Sequence, residues 1–178
     1  MSKEKIKLYT DMANKYSPVP VIVSADVENG PENGVKDGGL LPYPMACGAC
    51  GDEKLIKEAG KVTARICREN GIHWTFAPIV DINYNFRSSE TNVRAVSDDP
   101  DAVIKICGSV FGRITLGIAY GYGCKTLPRR GNRRTQQPFL HYYNPLPKEE
   151  WRNTYGKVYR AMIERGAPPF NMFFRVVR

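Results

Sequence analysis

One apolar stretch, residues 71–82, constrains the fold more than any other part of the chain. It reads GIHWTFAPIVDI, and such a continuous apolar run is typical of a strand buried on both faces. Strands of this kind belong to parallel sheets that are covered by helices. Asp81 comes at the end of the run, and the residues 83–92 that follow are polar and turn-forming. Barrel enzymes carry their chemistry at this end of a strand, so the pattern predicts a functional loop.

A second stretch repeats the arrangement earlier in the chain. The apolar run 21–25 ends at Asp26, and a glycine-rich segment that we expect to be an irregular loop continues to Pro44. Helical patterns accompany the two runs, at 2–16, 52–69, from Pro100 onward and from Pro147 to a stop at Gly166. Alternating strands and helices predict an α/β fold with a parallel sheet.

The helix predicted over 52–69 has an apolar stripe with helical spacing. Leu55, Ala59, Val62 and Ile66 fall on one face, and we expect that face to be buried. We expect Asp99 to be the N-cap of the next helix, because aspartate is a favoured capping residue and Pro100 suits the first helical position.

Length and cysteine content limit the class of protein. The 178 residues suffice for one domain but fall short of a whole eight-stranded barrel. Neither a long apolar run nor an export signal is visible, so we expect a cytoplasmic protein with no membrane partner. The five cysteines form no paired framework. Cys47 and Cys50 have CxxC spacing. We interpret them as small residues in a loop that approaches a helix, rather than as a metal or redox site.

The net charge of +8 is unevenly distributed. Five positive charges lie in 120–143 and two in 168–178, and neither segment contains an acid. Outside these two atypical segments the chain is nearly neutral, which disfavours a basic nucleic-acid-binding domain. Segment 120–143 also lacks helical and strand periodicity.

Four blocks in order resemble the amino-terminal domain of glycoside hydrolase family 3. They read PVIVSADVENG, VKDGGLLPYP, GIHWTFAPIVDINYN and VRAVSDDPDAV, and together they extend from about residue 18 to 111. The resemblance implies a (β/α)8 TIM barrel, of which these 178 residues form a single incomplete domain, roughly the first half. It also implies a retaining hydrolase of β-linked sugars that acts through a covalent glycosyl-enzyme intermediate.

The resemblance assigns roles to several residues. Asp26 matches a substrate-binding aspartate, and Arg94 matches an arginine of the same pocket. Lys125 aligns with the lysine of a family "KHFPG" loop that holds the sugar. Asp81 is expected to order loops rather than react. His73 is expected to be structural, because it stands at the entrance of a strand.

Segment 120–143 departs from the family pattern in an informative way. In one choice of codons for residues 124–131, reading one base over spells AKHFPGE, which contains the family motif. We therefore hypothesise that this segment was translated out of frame, which would make the Lys125 match accidental. His141 stands near the expected acid/base position but lacks an aspartate two residues before it.

The resemblance and its gaps lead to one main expectation for function. The chain is expected to be a β-N-acetylglucosaminidase by descent, with a β-glucosidase as the nearest alternative. No catalytic residue is recognisable, because the family's nucleophilic aspartate would lie beyond residue 178, so these residues alone are expected to be inactive. We expect a carbohydrate substrate, no cofactor and no metal, with self-association through an exposed barrel edge.

Another class of function stays open at this point. The arginines of 120–143, interleaved with aromatic residues, could form a non-enzymatic module that binds nucleic acid or acidic glycans. Their confinement to a segment without periodic order disfavours this alternative.

Overall fold

The computed structural model describes residues 1–86, 91–117 and 146–165. Helices and two parallel strands alternate along this part of the chain, as expected for an α/β fold. Segments 120–143 and 168–178, and with them Lys125 and His141, lie outside the described residues.

Two short strands form the sheet of the described part. β1 is Ser24–Ala25 and β2 is Trp74–Thr75, and they pair in parallel with Ser24 opposite Trp74. Both strands are shorter than the apolar runs that predict them. After β2 the Ala77 amide donates to the Thr75 hydroxyl at 3.2 Å, and Pro78 has no amide to donate, so ladder pairing ends. The rest of the run still enters the core, since Ile79, Val80 and Ile82 are buried.

The described residues also form six α-helices. They are α1 Lys3–Tyr16, α2 Pro44–Cys50, α3 Glu53–Glu69, α4 Pro100–Gly117, α5 Lys148–Asn153 and α6 Tyr155–Glu164. Two 3-10 turns lie at Pro31–Asn33 and Asn92–Arg94. The main helix packing is α3 on α4 and α4 on α6.

Side-chain caps begin the long helices at the predicted places. The Asp52 carboxylate accepts from the amides of Lys54 and Leu55, at 2.9 and 3.2 Å. Asp99 caps α4, accepting from the Ala102 amide at 3.0 Å. Each carboxylate satisfies amides that have no partner within the helix and also complements the positive helix end.

The sequence predicted the wrong buried face for α3, since the predicted apolar stripe is offset by about one residue from the stripe that is buried. Its buried residues are Ile56, Gly60, Thr63, Ala64 and Cys67. Leu55 is 60% exposed and Val62 40% exposed, although both belong to the predicted stripe. The true face was missed because glycine, threonine and alanine give a weak apolar signal, while packing on α4 decides which side turns inward.

Two other expectations need correction. The single helix expected from Pro147 is two helices, because the backbone at Thr154 leaves the helical region with φ −113° and ψ −92°. The segment from Gly30 to Pro44 is not wholly irregular, since the 3-10 turn Pro31–Asn33 lies within it and α2 begins at its end. No helix among the described residues is long and apolar enough to cross a membrane.

Candidate sugar-binding site

An ion pair joins the loops that follow the two strands. Arg94 donates from Nε to Glu28 Oε2 at 2.8 Å and from Nη2 to Glu28 Oε1 at 2.7 Å. The two side chains are 27% and 12% exposed. Two parallel hydrogen bonds between planar groups fix direction as well as distance. The guanidinium plane is therefore held at the carboxyl ends of β1 and β2.

The loop after β1 has a compact backbone that positions Glu28. The Asn29 amide donates to Asn33 Oδ1 at 2.7 Å, and the Asn29 carbonyl accepts from the Leu41 amide at 2.8 Å. Gly30 has φ +87°, and a Cβ there would lie 2.7 Å from Leu41 Cγ. A residue with a side chain would be both strained and crowded at this position.

Asp26 stands at the end of β1, with an exposed side chain. It lines a cavity of about 530 Å³ between α1 and β1, together with Ser24, Asn33 and Gly34. Arg94 is not among the residues that line this cavity; it lies with Glu28 on the neighbouring loop pair. The structure therefore places two of the three predicted sugar-binding residues at the same end of the sheet but pairs Arg94 with Glu28.

Asp81 lies in the core with no exposed surface. Its Oδ1 accepts a hydrogen bond from the Ile82 amide at 3.0 Å. The Tyr155 hydroxyl is also buried, without a hydrogen-bond partner in the described part of the chain. Burial raises the pKa of Tyr155, and the charge of Asp81 raises it further. This buried position is typical of a carboxylate that orders the backbone rather than one that meets substrate.

His73 connects the two strands. Its Nδ1 accepts a hydrogen bond from the Val23 amide at 3.2 Å, and its own amide donates to the Val23 carbonyl at 2.8 Å. The imidazole thus extends the pairing of β1 and β2 by one residue.

The CxxC residues lie on α2 rather than in a loop. Both thiols are free, and burial followed by the neighbouring Cys50 raises the pKa of Cys47, which opposes thiolate formation. A methyl group at Gly48 would overlap the Val96 carbonyl oxygen. Small residues therefore allow α2 to approach the segment that carries Arg94. Within residues 1–86, 91–117 and 146–165, no three His, Cys, Asp or Glu side chains could hold a metal ion.

Glu28 is the site residue that sequence reasoning did not select. It stands two residues after Asp26 in the same acidic loop, and the signal that could have found it was a second acid at the end of a buried strand. Its partner lies 66 residues away, so local pattern alone could not show the pairing.

Comparisons with known proteins agree on one family. The model of the glycosyl hydrolase family 3 N terminal domain matches residues 2–168. A beta-N-acetylglucosaminidase/beta-glucosidase of Cellulomonas fimi is 32% identical over 148 residues, which are 83% of this chain and 26% of that protein. A beta-hexosaminidase of Thiobacillus denitrificans is 33% identical over 108 residues, covering 56% of this chain and 30% of the relative. The chain thus spans about a quarter to a third of these relatives.

Solved structures share the same fold. The beta-glucoside phosphorylase BglX bound to 2FGlc superposes with a TM-score of 0.86 at 30% identity, over 93% of this chain and 30% of that one. NagZ from Neisseria gonorrhoeae superposes with a TM-score of 0.83 over 94% of this chain and 50% of that one, at 17% identity. Because the sequence identity to NagZ is low, this similarity is evidence for a shared fold alone.

Proposed function

Because the chain belongs to glycosyl hydrolase family 3, we propose that it supplies the sugar-binding wall of an active site for β-linked glycosides. The proposed architecture is a partial (β/α)8 barrel, roughly its first half, with the site at the carboxyl ends of β1 and β2. Parallel strand pairing and the position of the polar loops support this architecture.

The observation that carries the proposal is the fixed Arg94 guanidinium. Glu28 holds its plane at the strand ends, where sugar hydroxyls would meet N–H donors of defined direction. Asp26 adds an exposed carboxylate at the end of β1, which can accept hydrogen bonds from hydroxyls. In retaining hydrolysis a nucleophilic carboxylate and a separate general acid/base perform the chemistry. The residues proposed here bind and orient the sugar, and Lys125 stays a further candidate outside the described residues.

The proposed substrate is a β-N-acetylglucosaminide, with a β-glucoside as the alternative. The Cellulomonas fimi relative is named for both activities, and the Thiobacillus denitrificans relative is named a beta-hexosaminidase. Since one similar structure is a phosphorylase, inorganic phosphate is the co-substrate to include beside water in any assay. Cytoplasmic location and self-association stay predictions.

A sugar titration of the 178-residue protein tests the proposal. Chemical shifts of backbone amides are followed while N-acetylglucosamine or glucose is added. We expect saturable shifts in the loops that carry Asp26 and Arg94, and binding that is about tenfold weaker in Asp26→Asn, because a charged hydrogen bond is lost. The matched control is Asp11→Asn, which changes an exposed carboxylate on α1. Absence of saturation with both sugars, or equal binding by the Asp26 and Asp11 variants, refutes the proposed pocket.

Turnover is a separate question with its own assay. Nitrophenyl β-N-acetylglucosaminide and β-glucoside are incubated with the same protein, with and without phosphate. No release of nitrophenol is expected from these residues alone. Robust turnover would show that the expectation of inactivity is wrong, and it would not contradict the proposed binding pocket.

The alternative of a basic binding module has its own test. It predicts steeply salt-dependent nucleic-acid binding that is lost when the four arginines of 129–134 are replaced.

A further inference from the structure

A second cavity, of about 270 Å³, lies between α2, α3 and α4. Its walls come from residues of these helices and from the segments that follow β1 and β2. The lining residues include Ala46, Ala59, Thr63 and Ile106, and nearly all are apolar. Leu55, 60% exposed, stands at its edge, so the cavity is accessible from the surface of the helix layer.

The polar groups on its wall are already engaged. The Thr63 hydroxyl donates to the Ala59 carbonyl at 2.9 Å. Both carboxylate oxygens of Glu28 accept hydrogen bonds from Arg94. A polar molecule entering the cavity would give up hydrogen bonds to water and find few in return, which costs free energy. The lining therefore selects against sugars and charged ligands.

We propose that this cavity binds a small uncharged apolar molecule, such as a substituted aromatic ring or a short branched alkyl group. Apolar cavities of about 150 Å³ already accept benzene, so the space here suffices for one such group. The cavity shares Glu28 with the proposed sugar-binding site, but Asp26 and Arg94 are not among the residues that line it. The inference does not depend on the sugar that the chain binds.

Occupancy of the cavity would act on the Glu28–Arg94 pair. Glu28 lines the cavity directly, and so does Val96, two residues after Arg94. A bound molecule thus contacts both segments that hold the ion pair, and it would restrict their movement. Binding to the folded state alone also stabilises the fold by mass action.

Thermal unfolding in toluene tests the inference. We expect the Tm of the 178-residue protein to rise with toluene concentration and to saturate. Ala59→Leu places three more carbons in the cavity and is expected to weaken toluene binding about tenfold or more. Ala49→Leu makes the same change at an exposed position of α2 that does not line the cavity, and it should respond as the original protein does. An unchanged or lowered Tm in toluene, or an undiminished response in Ala59→Leu, overturns the inference.

Thiol protection provides a readout that needs no variant. Cys47 lines the cavity and is half-buried, so toluene is expected to slow its alkylation by N-ethylmaleimide severalfold, as measured by peptide mass spectrometry. The protection should vanish in urea, where the cavity no longer exists. An alkylation rate at Cys47 that is the same with and without toluene in the folded protein contradicts the proposed site.

Discussion

Replacement of Glu28 by glutamine perturbs the contact on which the proposed sugar-binding site depends. Glutamine keeps the side-chain length and one acceptor oxygen but removes the charge, which leaves Arg94 without its two-point ion pair. Exposed ion pairs contribute about 0–1 kcal/mol, and breaking a buried pair costs about 3–5 kcal/mol. With exposures of 27% and 12%, this pair is intermediate, and we expect a loss of about 2 kcal/mol in the free energy of unfolding.

Urea denaturation measures this loss. For an m-value of about 2 kcal/mol/M, the midpoint should fall by about 1 M. The control is Asp11→Asn, since Asp11 pairs with Lys7 on the exposed face of α1 and should cost less than about 0.5 kcal/mol. A double-mutant cycle with Arg94→Gln isolates the pair itself. A coupling energy below about 0.5 kcal/mol would refute the argument that Glu28 holds Arg94 in place.

Three further predictions concern packing, strand pairing and a buried thiol. Gly48→Ala should lower the urea midpoint, because its methyl group would overlap the Val96 carbonyl oxygen, whereas Ala49→Gly at an exposed position of the same helix should cost only the helix-propensity difference of about 1 kcal/mol. His73→Ala should cost about 1 kcal/mol by removing the acceptor for the Val23 amide, and His73→Asn, which keeps an acceptor, should recover part of it. Burial raises the pKa of Cys67 to about 11, above that of the unfolded chain, so stability should decline between pH 9 and 11 and Cys67→Ala should flatten that decline.

Local chemistry was sufficient to predict where helices begin and that an acidic residue follows the first strand. A cap needs only a carboxylate and the amides of the next turn, so Asp99 could be predicted as a cap, and the start of α3 at Asp52 could be predicted, from a few residues of sequence. In the same way, an apolar run followed by an acid predicted the end of β1 and placed Asp26 beside a polar loop, whereas β2 ends at Thr75, well before Asp81. Family resemblance added the role of Arg94, which no local pattern contained.

Tertiary structure decided the contacts between distant parts of the chain. The inner face of α3 depends on which stripe α4 covers, and small side chains such as Gly60 leave no clear trace in hydropathy. Glu28 and Arg94 meet only because parallel strands bring their following loops to one edge of the sheet. The apolar cavity likewise lies between three helices and the segments that follow both strands, which are distant from one another in sequence. Sequence determines local hydrogen bonding and periodicity, while the pairing of residues 66 apart requires the packed chain.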